Sequence, residues 1–132
     1  MNQKELNIFL IDDNDIDIVV NTKLLKLANL TSRIRSFSNG TDALNYISSN
    51  VEELNQYQNV ILLDIQMPVY NGFEIFEKFM DLSIEIRQQC KVFMLSSSID
   101  RNDIKKAEEN EEIIKVLEKP LDVYLLKRLV SE

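Results

Sequence analysis

Val60-Ile61-Leu62-Leu63-Asp64 is an unbroken apolar run that stops at a carboxylate. A run this short, partly β-branched and bounded by polar residues, reads as a strand buried on both faces, the kind found inside parallel sheets. Three other runs have the same form. Leu6 to Ile11 ends in Asp12-Asp13, Val92 to Leu95 ends in Ser96, and Ile113 to Leu117 stops just before Lys119-Pro120. Parallel strands of an open sheet place their carboxyl ends along one edge, where ligands bind. Three carboxylates, a hydroxyl and an ammonium are therefore expected to meet in one crevice.

The carboxylates need a counter-charge. Two like charges about 4 Å apart repel by roughly 4 kcal/mol at an effective dielectric of about 20, so the cluster must hold a cation or take up protons. The chain has no His and a single Cys, so the available ligands are oxygens, which suit Mg²⁺ or Mn²⁺ rather than zinc. With a metal and Lys119 in place, the site attracts a phosphoryl group, and a carboxylate can act as nucleophile to give an aspartyl phosphate. Asp64 is the expected nucleophile.

These residues, in this order, make the chain resemble the receiver domain of two-component response regulators, the fold of the chemotaxis protein CheY. Asp12-Asp13 match that family's acidic pair, Asp64 its phosphoacceptor, Ser96 its Ser/Thr, and Lys119-Pro120 its Lys-Pro. The loop from Asp64 through Met67-Pro68 to Gly72 has the family's spacing. The resemblance covers the whole chain and implies a doubly wound α/β fold: a five-stranded parallel sheet in flavodoxin-like order 2-1-3-4-5, with helices on both faces. It also implies that Asp13 binds the metal directly and Asp12 through water, with Asp64 and the backbone carbonyl of Gln66 as further ligands. A sensor histidine kinase or histidine phosphotransfer protein would be the donor. Ser96 and Lys119 would bind the new phosphoryl group and shift the face made by the fourth helix, fifth strand and fifth helix toward an output protein.

Two departures stand out. Val116 takes the place, three residues before the Lys, where many receivers carry Tyr or Phe, which removes the usual aromatic rotamer switch. The run Glu108-Glu109-Asn110-Glu111-Glu112 replaces the common Gly-Ala turn and makes that face acidic, with solvation as its ordinary meaning.

Between the strands lie amphipathic segments in βα alternation. Asp15 to Asn29 carries Ile16, Val19, Val20, Leu24 and Leu27 at helical spacing, and Ser32 to Phe37 reads as an edge strand. Asp42 to Ser49 is expected to bury Leu44 and Ile47. Phe73 to Leu82 should bury Phe76, Phe79 and Met80 and pair Glu74 with Lys78. Asp100 is placed to cap a helix containing Ile104 and Ala107, and Leu121 to Val130 reads as a fifth helix. Gly40 and Gly72 fall in loops, where a positive φ is the ordinary explanation. Neither belongs to a G-x-G-x-x-G or Walker motif, so nucleotide binding has no support.

Composition narrows the alternatives. A length of 132 residues suits one domain, here taken as residues 1–132, able to bury about two thirds of its unfolded surface. Net charge is −7, from 22 acidic and 15 basic residues, which argues against a nucleic-acid backbone as partner. No stretch reads as a signal peptide, anchor or membrane span, and the lone Cys90 fits a reducing compartment, so the expected location is the cytoplasm. Asp13 to Asp17 opens like a calcium-binding EF-hand loop, but Ile18 and Leu24 stand where Gly and Glu are required. The enzymatic alternative is a small Mg²⁺-dependent phosphohydrolase of haloacid-dehalogenase type, with a D-x-D opening and a later Ser and Lys. It requires Thr or Val at Asp17 and larger insertions, and it leaves Asp64 idle. A receiver cut from a longer regulator is the other alternative.

Overall fold

The computed structural model describes residues 4–31, 33–98 and 100–131. Five parallel strands form one sheet: β1 (Leu6–Ile11), β2 (Ile34–Phe37), β3 (Gln58–Asp64), β4 (Cys90–Ser96) and β5 (Ile113–Glu118). Their order is β2-β1-β3-β4-β5, the doubly wound arrangement expected. The helices are α1 (Asp15–Leu27), α2 (Gly40–Ser49), α3 (Val51–Leu54), α4 (Gly72–Met80), α5 (Ile84–Arg87), α6 (Arg101–Glu108) and α7 (Val123–Val130). The one-turn helices α3 and α5 lie where the sequence pattern was too short to declare a helix.

Strand side chains alternate between two cores. Ile8, Leu10, Val60, Leu62, Phe93 and Leu95 face α1 and α7, where they meet Leu25, Val123 and Leu126. Phe9, Ile11, Ile61, Leu63 and Met94 face the other helices, where they meet Ile47, Ile75, Phe76 and Phe79. Helix starts follow from short polar caps, since a side-chain oxygen satisfies an otherwise orphaned N–H. Asn14, Asn39, Asn71, Ser83, Asp100 and Asp122 each do this. Asp122 as cap starts the last helix at Val123, two residues later than expected.

Several local readings are corrected. Ile16, Val19, Val20 and Leu27 lie on the solvent side of α1, with Ile16 74% and Leu27 83% exposed. The inward face is Ile18, Asn21, Leu24 and Leu25. Two apolar stripes satisfy helical spacing here, and a polar residue decides between them: the buried Asn21 accepts the Leu121 N–H at 3.0 Å. In α4, Glu74 does not pair with Lys78. It completes a capping box with Asn71, while the Lys78 ammonium lies 4.4 Å from the centre of the Tyr70 ring. Met80 is half-buried and Ile104 is 40% exposed. The edge strand begins at Ile34, and Ser32 lies outside the described residues.

Neither glycine has a positive φ. Each sits at the first position of a helix where there is no room for a side chain. A Cβ on Gly40 would lie 2.4 Å from Ile75 Cγ1, and one on Gly72 would lie 2.5 Å from the Asp64 carbonyl oxygen. Close approach, not backbone freedom, is the reason for glycine at both places.

At the opposite end of the strands from the expected site, Asn7 and Asn59 stand in register on β1 and β3. Both are buried, and the Asn7 amide donates to Asn59 Oδ1 at 3.0 Å. The Asn59 amide in turn donates to the Leu54 carbonyl at 2.8 Å.

Candidate functional site

Asp12 follows β1, Asp64 ends β3, Ser96 ends β4 and Lys119 follows β5. The register Ile11↔Leu63 sets Asp12 beside Asp64, and Ser96↔Glu118 sets Lys119 just past Ser96. The Lys119 N–H donates to the Ser96 carbonyl at 2.8 Å, and the Ile65 N–H to the Leu95 carbonyl at 2.9 Å. The Lys119–Pro120 peptide bond is cis. The sheet edge thus gathers the residues that the strand-end pattern selected.

The Lys119 ammonium is the hub of the site. Its Nζ lies 2.9 Å from Asp12 Oδ2, 2.8 Å from Asp17 Oδ2 and 3.4 Å from Asp64 Oδ1. Asp12 is fully buried and Asp64 is 2% exposed, so both carboxylates depend on protein partners. Asp12 Oδ1 also accepts the Asn14 N–H at 2.9 Å, and Asp64 Oδ1 accepts the Gln66 N–H at 3.3 Å. Asp13 is exposed. One carboxylate oxygen from each of Asp12, Asp13 and Asp64 can lie within 4.8 Å of the others. An all-oxygen set of that size and charge fits a hard divalent cation.

Electrostatics point the same way. Burial, reinforced by the charge of Asp12, pushes the Asp64 carboxyl up to about 6, against the smaller opposing pull of Lys119 and the Gln66 N–H. For Lys119, burial alone would lower the pKa, but the hydrogen bonds to Asp17 and Asp12 and the charge of Asp64 raise it. The lysine is therefore a fixed cation, while Asp64 is a carboxylate short of counter-charge. Ser96 is fully buried, and its hydroxyl oxygen accepts the Ser98 N–H at 3.1 Å.

Sequence reasoning used Asp17 only to reject other motifs and missed its contact with Lys119. A signal was present: one helical turn after Asp13, a first-turn residue of α1 points back toward the strand edge. Val116 is half-buried and lines a cleft of about 570 Å³ between α6 and β5 with Ile104, Ala107 and Ile113. In the acidic run, Glu112 pairs with Arg87 at 3.1 Å, and Glu108, Glu109 and Glu111 are exposed. Burial pushes the Cys90 thiol up to about 12, which leaves it an inert packing residue. Among the described residues, no helix is long and apolar enough to cross a membrane.

Comparison with known proteins agrees with this geometry. The sequence model of the response regulator receiver domain matches residues 8–131. A response regulator receiver protein from Dyadobacter fermentans is 36% identical with a TM-score of 0.88, covering 96% of this chain and 95% of its own. A two-component response regulator from Cytophaga hutchinsonii is 29% identical with a TM-score of 0.86, covering 98% and 96%. Two-component response regulator ARR15 of Arabidopsis thaliana is 31% identical over 134 residues, and the match spans 96% of this chain but 63% of that protein. The acidic cluster with its lysine is that of a phosphoacceptor, and nothing in the fold supports the haloacid-dehalogenase alternative.

Proposed function

The chain belongs to the response regulator receiver domain family, and from that premise we propose how its site takes up and reads a phosphoryl group. Residues 1–132 act as one receiver domain in the cytoplasm. A carboxylate oxygen of Asp64 attacks the phosphorus of a phosphohistidine. The O–P bond forms as the P–N bond breaks, and the leaving imidazole keeps the electron pair and takes a proton from water. The donor belongs to a sensor histidine kinase or phosphotransfer protein, because this chain has no His of its own.

Asp13, Asp64 and the Gln66 carbonyl would hold Mg²⁺ or Mn²⁺, with Asp12 acting through water. When bound, the ion neutralises charge on the transferring group. Lys119 supplies the fixed positive charge from the opposite side, and the Ser96 hydroxyl hydrogen-bonds the phosphoryl oxygens. The added charge, about −1.5 to −2, draws the loop after β4 toward Asp64 and shifts the α6-β5-α7 face between two populations with different affinity for an output protein. The observation that carries this reading is the Lys119 ammonium, 3.4 Å from Asp64 and salt-bridged to Asp12 at 2.9 Å.

Intact mass measurement after incubation with acetyl phosphate and Mg²⁺ tests it. One phosphoryl group should add in wild type and none in Asp64→Asn. Undiminished labelling of Asp64→Asn, or labelling mapped to Asp13, would overturn it.

A further inference from the structure

We propose that Asp17 is a positioning residue that competes with the phosphoryl group on Asp64 for the Lys119 ammonium, and so sets how tightly the phosphorylated site is held. This rests on the phosphoacceptor reading above.

An ammonium has three N–H donors, and Lys119 faces three carboxylates. Asp17 at 2.8 Å and Asp12 at 2.9 Å are the close partners, and Asp64 at 3.4 Å is the distant one. A phosphoryl group on Asp64 brings three strong acceptor oxygens and extra negative charge. Two of the ammonium N–H groups are taken by Asp17 and Asp12, which leaves one for the phosphoryl group, so a second bond from Lys119 to it requires that one close partner be given up. Asp12 cannot easily be that partner, because it is fully buried and an uncompensated buried charge is costly. The Asp17 side chain is 33% exposed, so water can take over its solvation. Lys119 therefore leaves Asp17 and keeps Asp12.

Two consequences follow from the position of Asp17. Its carboxylate offsets part of the phosphoryl affinity that Lys119 would otherwise supply. Its place in the first turn of α1 also means that the exchange loosens a contact between α1 and the loop after β5. A helix on the opposite face of the sheet from α6 thereby senses the state of Asp64.

Beryllofluoride, a phosphoryl mimic, is titrated at saturating Mg²⁺ and followed by amide NMR. The chains are wild type, Asp17→Asn, Asp17→Ala, Asp15→Asn, Lys119→Ala and Asp17→Asn/Lys119→Ala. Asp17→Asn and Asp17→Ala should bind the mimic about three- to tenfold more tightly than wild type. Asp15→Asn, an exposed change of equal charge on the same helical turn, should stay within about twofold, and the double variant should match Lys119→Ala within about twofold. An unchanged or weaker affinity in both Asp17 variants, an equal gain in Asp15→Asn, or a gain that survives without Lys119 would overturn the inference. Failure of wild type itself to bind the mimic would overturn the phosphoacceptor reading and this inference with it.

Discussion

Gly72 meets the Asp64 backbone at the start of α4: its N–H donates to the Ile65 carbonyl at 2.9 Å, and a Cβ added to it would lie 2.5 Å from the Asp64 carbonyl oxygen. The loop after β3 therefore closes against the phosphoacceptor itself. Gly72→Ala should cost about 1–3 kcal/mol as an overpacking change that backbone cannot relieve, and it should slow phosphorylation by displacing Asp64. Gly40→Ala collides instead with the Ile75 side chain, so pairing it with Ile75→Ala should recover part of its own cost. Urea unfolding of the single and double variants checks both, and full additivity at Gly40 and Ile75 would contradict the contact.

Metal-free stability should fall as pH rises from about 4 to about 6. Asp64 binds its proton more tightly in the folded chain, at about 6 against an ordinary 3.8. Its contribution is fully present below the unfolded value and is lost as pH passes the folded one. The shift corresponds to about 3 kcal/mol. The raised Lys119 value acts in a separate window, above its ordinary 10.5. Asp64→Asn should thus be more stable than wild type in EDTA at neutral pH, with the gap closing toward pH 4. A gap that does not change with pH would refute the assignment.

Asp13→Ala should weaken Mg²⁺ binding more than Asp12→Ala does. Asp13 is exposed and free to serve as a direct ligand, whereas Asp12 is engaged by Lys119 and the Asn14 N–H. Residues acting through water still matter, with typical losses of about 10- to 100-fold. Isothermal titration with Mg²⁺ would show the order, and equal losses would contradict it.

Lys119→Ala should separate chemistry from switching. The variant should still take phosphate from a small donor, more slowly, yet leave residues 113–130 unresponsive, because the group that reads the added charge is gone. Val116 has no ring to swing and should keep its place beside Ile104 and Ala107. Hydrogen exchange with and without beryllofluoride tests this. A large Val116 movement in wild type, or a full response in a variant shown to bind the mimic, would defeat it.

The sheet was legible because four apolar runs end in chemistry-bearing residues, a coincidence that helix caps or turns do not explain. Asp12, Asp64, Ser96 and Lys119 were placed by strand ends alone, since parallel strands share an edge. Less legible was anything decided by one helix choosing between two faces. The inward side of α1 rests on the Asn21 amide and its partner across the fold at Leu121, a pairing that periodicity does not see. Asp17 was missed for a related reason: its role depends on how α1 is rotated. The glycines were misread because an absent Cβ leaves the same mark in a sequence whether it frees φ or makes room.

The Asn7–Asn59 hydrogen bond bears on the geometry of a site at the far end of the same strands. β1 and β3 are so uniformly apolar that sliding one past the other by two residues would keep oily side chains on both faces. The amide pair makes such a slip expensive, stranding two buried polar groups at about 1–3 kcal/mol each. A slip of two residues would also carry Asp64 about 6–7 Å along the strand away from Asp12. The two asparagines thus act as a gauge block: placed where no phosphate ever comes, they set the spacing at which the two buried carboxylates face each other.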